Sequence, residues 1–267
     1  MSGPDPDDYR ALRIERGGAV LTVTIDHPDS KLNAVDDLLH REFARLFREL
    51  KREDDARAVL LTGAGPAFSA GGDFAWFPTL NDLAKLEHLR RDAKQLVWDL
   101  LDVELPIVAA LNGPAIGLGA SIALLCDVIF AAESATIADP HVRIGIVAGD
   151  GGAAIWPLAV GPALAKEFLM TGDPLPAART RELGLVNHVV PDAELPAAAL
   201  AFAERLAAGA PLAVRYTKQA VNKWVKQALN VAFDTSTALE IVTLQSEDHA
   251  EALAALREKR TPRFQGK

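Results

Sequence analysis

At 267 residues, 49% apolar and 24% charged, the chain could form one large α/β domain or two small ones, and its composition is that of an ordinary soluble globular protein. A net charge of −8 argues against nucleic acid or an anionic membrane surface as the main partner. A single cysteine, Cys126, excludes an internal disulfide. With an acidic N-terminal segment (MSGPDPDDYR) that has no apolar signal-peptide run, this makes a reducing cytoplasm the expected location.

Residues 1–9 are expected to be loosely held. Leu12–Glu15 and Val20–Ile25 alternate as two strands, joined through Gly17-Gly18 into a hairpin. After a loop at 27–33, apolar residues at Val35, Leu38, Leu39, Phe43, Leu46, Phe47 and Leu50 form a helical stripe. Ala58–Thr62 reads as a short buried strand, and Gly63–Phe74 (GAGPAFSAGGDF) as a glycine-rich loop at its end. Residues 80–104 read as mostly helix. Ile107–Leu111 is a buried strand broken by Asn112-Gly113-Pro114; a turn at Gly117-Leu118-Gly119 leads into a small-residue helix over 120–125. Asp127–Ala132 is a further strand candidate, and Thr136–Asp139 and Val142–Val147 surround Pro140-His141. A third glycine loop, Gly149-Asp150-Gly151-Gly152, precedes the helical AAIWPLAVG. Short helices over 162–171 and 175–184 end at glycines, and Val186–Val190 reads as a strand. Residues 192–258 read as nearly continuous helix in three or four pieces. The order predicts an α/β core over 1–200 and a C-terminal helical region over 201–267.

The stretch from Pro106 to Asp127 is the centre of this pattern. Strand, glycine turn and helix start leave backbone N–H groups unpaired at the positive end of a helix dipole, which favours an oxyanion there. A tight turn between two core elements explains the same residues equally well. The spacing matches neither G-x-G-x-x-G nor a P-loop, so a nucleotide phosphate is disfavoured. The apolar region 106–126 contains an asparagine, two prolines and three glycines, and is not read as a membrane span. No His/Cys/Asp group has metal-ligand spacing, so no metal is expected, and no G-x-S-x-G elbow points to a serine hydrolase.

Three segments taken together, LLTGAGPAFSAGGDF, PIVAALNGPAIGLGASIALLCDV and the text from GIVAGDGGAAIWPLAVG to ARTRELGLVNHVVP, resemble the crotonase, or enoyl-CoA hydratase/isomerase, superfamily. The resemblance runs from about Leu12 to about Phe264. It implies a spiral of strand–strand–helix units with C-terminal helices that pack on a neighbour, giving homotrimers often paired into hexamers. It implies an acyl-CoA substrate, with coenzyme A as part of the substrate and no permanently bound cofactor. A thioester oxygen held by two backbone amides would become an enolate in the transition state. By motif position those amides belong to Gly72 and Leu118. Lys31, Leu32 and Ala34, with Ala70, Gly71, Asp73 and Phe74, match the family's coenzyme-binding loops.

The sequence departs from the hydratases where they carry two catalytic glutamates. Those positions hold Ser121 and His141. An alcohol is neither a useful acid nor a useful base near neutrality, whereas histidine is either. Standard two-glutamate hydration is therefore not expected. Asp150, nine positions beyond His141, offers a carboxylate that could fix its tautomer; a turn or helix-capping role fits Asp150 equally well. The His-x8-Asp spacing followed by Trp156-Pro157 is similar to the 6-oxocamphor hydrolase branch, which cleaves a carbon–carbon bond of a β-diketone, although that branch has a further histidine near Leu118. Trp156 and Ser121 are expected along the substrate pocket. Three readings follow: an acyl-CoA enzyme working through an enolate, a carbon–carbon hydrolase of a β-dicarbonyl compound, and an acyl-CoA binder without catalysis.

Overall fold

The expected hairpin forms from β1 (Leu12–Gly17) and β2 (Val20–Ile25), which pair antiparallel with Leu12 opposite Ile25 and Gly17 opposite Val20. In the computed structural model, which describes residues 3–80 and 82–267, β2 then pairs in parallel with β3 (Ala58–Gly63). The ladder continues in parallel through β4 (Ile107–Leu111), β6 (Val128–Ala132) and β9 (His188–Val190), giving a six-stranded sheet in the order β1-β2-β3-β4-β6-β9. A smaller sheet joins β5 (Ala115–Ile116), β7 (Thr136–Ala138) and β8 (Leu175–Pro176). Every residue of β4 is buried, as the unbroken apolar run Ile107–Leu111 requires of a strand covered on both faces.

The stripe beginning at Val35 becomes helix α1 (Asp37–Leu50), and Asp36 caps it by accepting from Leu39 N–H. Val35 itself stays outside the helix. It runs beside Gly72, its N–H donating to Gly71 C=O (2.7 Å) and its C=O accepting from Asp73 N–H (2.9 Å). Ala70 N–H donates to Leu32 C=O (2.9 Å), so the segment before α1 and the glycine loop after β3 are zipped together. Gly71 has φ +79°, and a Cβ there would lie 2.9 Å from Ile116 C=O; conformation and space both demand glycine. The expected helix over 80–104 is α2 (Leu83–Asp102), capped by Asp82; Asn81 lies outside the described residues.

Residues 3–9 are better anchored than expected, while Met1 and Ser2 lie outside the described residues. Tyr9 Oη donates to Glu49 (2.8 Å), and the buried Glu42 carboxylate accepts from Arg10, Ala11 and Leu12 N–H at 2.8–3.1 Å. A carboxylate on α1 therefore fixes the entry to β1.

The central stretch folds as strand, turn and helix α3 (Leu118–Leu124). Helix α4 (Gly152–Thr171) is long and apolar enough by composition to cross a membrane, but Gly161 (φ 78°) and Pro162 break it midway. It packs on α3 below, and α5 (Ala177–Glu182) follows it. Residue 200 falls inside α6 (Leu195–Ala207), which packs on β3, β4 and β6 and so belongs to the core. The helical extension proper is α7 (Pro211–Leu244) and α8 (Glu247–Glu258).

Buried Lys218 staples α7 to the sheet, donating to Leu105 C=O (2.8 Å) and to Asp127 (2.7 Å); Asp127 also accepts from Ile107 N–H (2.7 Å). Through this contact α7 crosses α2 and α4, which brings its middle over the third glycine loop. The outer face of α7 leaves Leu212, Trp224, Val231 and Val242 more than 60% exposed.

Candidate active site

His141 sits at the start of a single 3-10 turn (His141–Ile144) directly after β7 and Pro140. Its ring is held from several sides. Nδ1 is hydrogen-bonded to the Asp139 carboxylate, which is 2% exposed, so Asp139 fixes the ring's orientation. Nε2 faces Asp150 Oδ2 at 3.4 Å and Glu240 Oε1 at 3.9 Å. Gly117, whose φ of +53° favours glycine, lies against the ring, and a Cβ there would sit 3.4 Å from His141 Cε1, an ordinary contact.

Asp150 is presented by the third glycine loop, where Gly151 takes φ +130°. Ser121 Oγ on α3 donates to Asp150 Oδ1 (3.0 Å). Ser121 therefore positions a carboxylate in the place where it was expected to meet the substrate. Glu240 arrives from α7. Thr237 Oγ1 donates to Gly149 C=O (3.0 Å), and a Cβ on Gly149 would lie 2.4 Å from Glu240 Oε2. Only a glycine at that point lets the helix approach closely enough to place its carboxyl beside His141.

Gly72 and Leu118 line the same cavity, of about 70 Å³, as His141, Asp150 and Glu240. Among the described residues neither the Gly72 nor the Leu118 N–H is used by a hydrogen bond, although the neighbouring Gly117 N–H is satisfied by Ala138 C=O (2.9 Å). Leu118 is the first residue of α3, so its free amide is one of the orphan donors of a helix start. A Cβ on Gly72 would lie 2.6 Å from the Phe77 ring, which packs against that wall. Two unused donors, an oriented imidazole and two acids thus meet at one small space.

The electrostatics of the cluster are those of one imidazole among three carboxyl groups. Burial works against the imidazolium, but the Asp139 and Asp150 charges, the Asp139 hydrogen bond and Glu240 outweigh it and hold His141 well above its ordinary value. Burial pushes Asp150 up, opposed by the His141 charge and reinforced by Asp139. Burial likewise pushes Glu240 up to about 8, opposed by His141 and reinforced by Asp150 and Asp139. The cluster therefore favours the charged form of His141 and the protonated form of Glu240. Asp139, His141 and Asp150 also bring one ligand atom each within 4.8 Å of one another, a set of groups able to hold a divalent cation that linear spacing does not reveal.

A second cavity, of about 260 Å³, lies outside the first and shares Gly72, Phe77 and His141 with it. Ala70, Gly71 and Phe74 line this outer space. Asp73 braces its own turn by accepting from Ala75 N–H (2.8 Å). Lys31 and Leu32 are exposed beside this loop, and Ala34 is half-buried with its N–H on Ser30 Oγ. Trp156 is not where the pocket expectation places it: it is fully buried against Phe168, with ring centroids 5.9 Å apart, and lines neither cavity. It lies in α4 beside the buried Ala154 and Ile155.

Sequence reasoning missed Asp139 and Glu240. The signal for Asp139 was its place two residues before His141 across a proline turn; Glu240 gave only that of an acid between Leu239 and Ile241 in an apolar helix.

Residues 15–267 match the profile of the enoyl-CoA hydratase/isomerase family. The chain is 32% identical to the short-chain-enoyl-CoA hydratase of Clostridium acetobutylicum over 92% of its own length and 94% of that protein. It superposes on an enoyl-CoA hydratase/isomerase from Mycobacterium paratuberculosis with a TM-score of 0.88 and 39% identity, covering 92% of this chain and 99% of that one. It is also similar to a β-diketone hydrolase from the cyanobacterium Anabaena, solved with (S)-3-oxocyclohexyl acetic acid: TM-score 0.85, 33% identity, 91% of this chain and 98% of that one.

Proposed function

Because the chain belongs to the enoyl-CoA hydratase/isomerase family, we propose that it forms and protonates an enolate of a carbonyl compound held between Gly72 N–H and Leu118 N–H, with His141 moving the proton. One observation carries this reading: His141, fixed at Nδ1 by Asp139, turns Nε2 toward Asp150 and Glu240 in the cavity that both unused amides line. The substrate class is an acyl-CoA thioester, with coenzyme A entering as part of the substrate through the outer cavity and no cofactor retained. The enzyme is cytoplasmic and assembles as a homotrimer or hexamer through the apolar outer face of α7.

In this scheme the two amides hold the carbonyl oxygen as negative charge develops on it. Once neutral, His141 removes a proton from the substrate carbon or from a water; Asp139 stabilises the imidazolium that results. Protonated Glu240, or His141 itself, returns a proton to carbon. Asp150, aligned by Ser121, completes the negative surroundings that favour the charged imidazole.

A second reading is favoured by the replacement of the two-glutamate arrangement with a histidine among acids, and by the similarity to a β-diketone hydrolase. Here His141 deprotonates water, the hydroxide adds to one carbonyl, and the carbon–carbon bond breaks toward an enolate in the same oxyanion hole. A panel of crotonyl-CoA, a 3-enoyl-CoA and a cyclic 1,3-diketone distinguishes the two. Turnover of a thioester or of the diketone, lost in His141→Ala with binding retained, is the expected result; crotonyl-CoA hydration should be about 10²–10⁴-fold slower than in a two-glutamate relative. Full activity of His141→Ala would remove the imidazole from the mechanism.

A further inference from the structure

His249 lies in the first turn of α8, which Ser246 caps by accepting from His249 N–H (3.1 Å). The residue is buried, and its ring makes two contacts. Nδ1 donates to Ile144 C=O (2.7 Å), at the last residue of the turn that begins with His141. The ring also meets Phe77 in a T-shaped pair, with centroids 5.6 Å apart and planes at 87°. Phe77 packs behind Gly72 and lines both cavities, whereas His249 lines neither. One side chain therefore touches the turn that carries the base and the ring that backs an oxyanion donor. The approach is close: Gly145, at the end of that turn, has φ +71°, and a Cβ there would lie 3.0 Å from His249 N. The same helix sends Leu256 to the outer cavity, beside Arg143 and Ile144. The C-terminal segment folds back on it, with Gln265 and Gly266 N–H donating to Asp248 at 2.6 and 2.8 Å.

We infer that His249 is a positioning residue for the proton transfer: it holds the His141 turn in register with the Gly72 wall, so that base and oxyanion donor bear on the same substrate. The inference rests on the enolate reading and adds to it a side chain that acts only through others. The turn is a single one, closed by Arg143 N–H to Pro140 C=O (2.9 Å) and Gly145 N–H to Val142 C=O (3.1 Å), and a lone 3-10 turn is a weak support by itself. His141 faces Asp139 after β7, Asp150 from the third glycine loop and Glu240 from α7, so a shift of the turn moves the ring relative to all three. A misplacement of about 1 Å at a reacting group costs roughly 100-fold in rate. Nδ1 of His249 carries a proton in the neutral ring that donates to Ile144 and in the charged ring alike, so this hold does not change with pH.

The test follows deuterium exchange at Cα of butyryl-CoA by mass spectrometry across pH, with butyryl-CoA binding by calorimetry, in the wild type, His249→Phe, His249→Asn and Gly145→Ala. His249→Phe keeps a ring against Phe77 and loses the donor to Ile144; His249→Asn keeps a donor in the place of Nδ1 and loses the ring. His249→Phe should slow exchange about 10- to 100-fold at unchanged affinity, and should move the midpoint of the pH profile down toward the ordinary imidazole value of about 6.5. His249→Asn should recover most of the rate and the midpoint. Gly145→Ala, which pushes α8 off the turn from the other side, should repeat the His249→Phe result and carries the test if that variant does not fold. A merely structural role would reduce the amount of folded protein and scale the profile without moving its midpoint. A rate and midpoint retained in His249→Phe, a loss at unchanged midpoint, or equal losses in His249→Phe and His249→Asn would overturn the positioning role and leave the enolate reading standing. Butyryl-CoA that the wild type fails to bind, or binds without exchange above that of buffer, would overturn both.

Discussion

Glu240→Gln isolates the acid that α7 delivers to the site. In the folded protein burial pushes this carboxyl up to about 8, against the ordinary 4.5. Between those values the native state holds a proton that the unfolded chain has released, so stability falls as pH rises from about 4.5 to about 8 and is flat above. At 1.36 kcal/mol per pH unit the whole interval corresponds to about 5 kcal/mol. The His141 charge opposes burial, and 15% of the Glu240 side chain remains accessible, so about 2–5 kcal/mol is the expected range. Glutamine keeps the shape and carries no such burden. Urea unfolding measured from pH 5 to pH 9 should show the variant matching the wild type near pH 5 and exceeding it by that amount above pH 8. The variant should also lose turnover, because the proton donor is gone. Parallel stability curves across the whole range would show that Glu240 ionises freely and that the site does not hold it neutral.

Asp139→Asn keeps the shape of the His141 partner and removes its charge; kcat should fall about 10²–10⁴-fold, and the pH–rate midpoint should move down. Because His141 is held above its ordinary value, its stabilisation is fully present below about pH 6.5 and is lost as pH rises through the raised value. The variant's stability deficit should therefore be greatest near pH 6 and shrink on the alkaline side. Lys218→Met strands the Asp127 carboxylate against β4 without a cation and should cost about 3–5 kcal/mol in urea unfolding, with Asp127→Leu in the same chain recovering part of it. Light scattering at micromolar concentration should report a trimer or hexamer, and Trp224→Glu on the exposed face of α7 should shift it toward monomer; a monomeric wild type would contradict the assembly.

Local periodicity made most of the fold legible. The β4 run Ile107–Leu111 and the α1 stripe from Leu38 to Leu50 carry their structure in neighbouring residues and formed where expected, while the helix expected over 175–184 is shortened to Ala177–Glu182 because Leu175–Pro176 pair as β8. Val35 did not join α1 because its backbone is taken by Gly71 and Asp73, partners more than thirty residues away that no local stripe reveals. The site was legible to the extent that it rests on motif position: Gly72, Leu118, His141 and Asp150 do share a cavity. Asp139 was hidden because the expected orienting acid was Asp150, while the turn at Pro140 folds the side chain two residues back onto Nδ1. Glu240 was hidden because its proximity depends on α7 crossing the third glycine loop, a contact set by Gly149, Thr237 and the distant Lys218 staple. Trp156 misled because its neighbours in sequence, Gly149–Gly152, do line the site, while the helix that follows turns the indole into the core.

The central claim is that His141 exchanges a proton with a carbon made acidic by the Gly72 and Leu118 amides. Solvent deuterium incorporation next to the carbonyl, followed by mass spectrometry on a bound saturated acyl-CoA, measures that step without requiring the true substrate. The wild type should incorporate deuterium faster than buffer does, with a rate that climbs on the alkaline side of pH 7 as the raised His141 loses its proton. His141→Ala should bind the same compound and exchange at the rate of buffer. Exchange in His141→Ala equal to the wild type, or a wild-type rate that is flat from pH 6 to pH 9, would contradict the account.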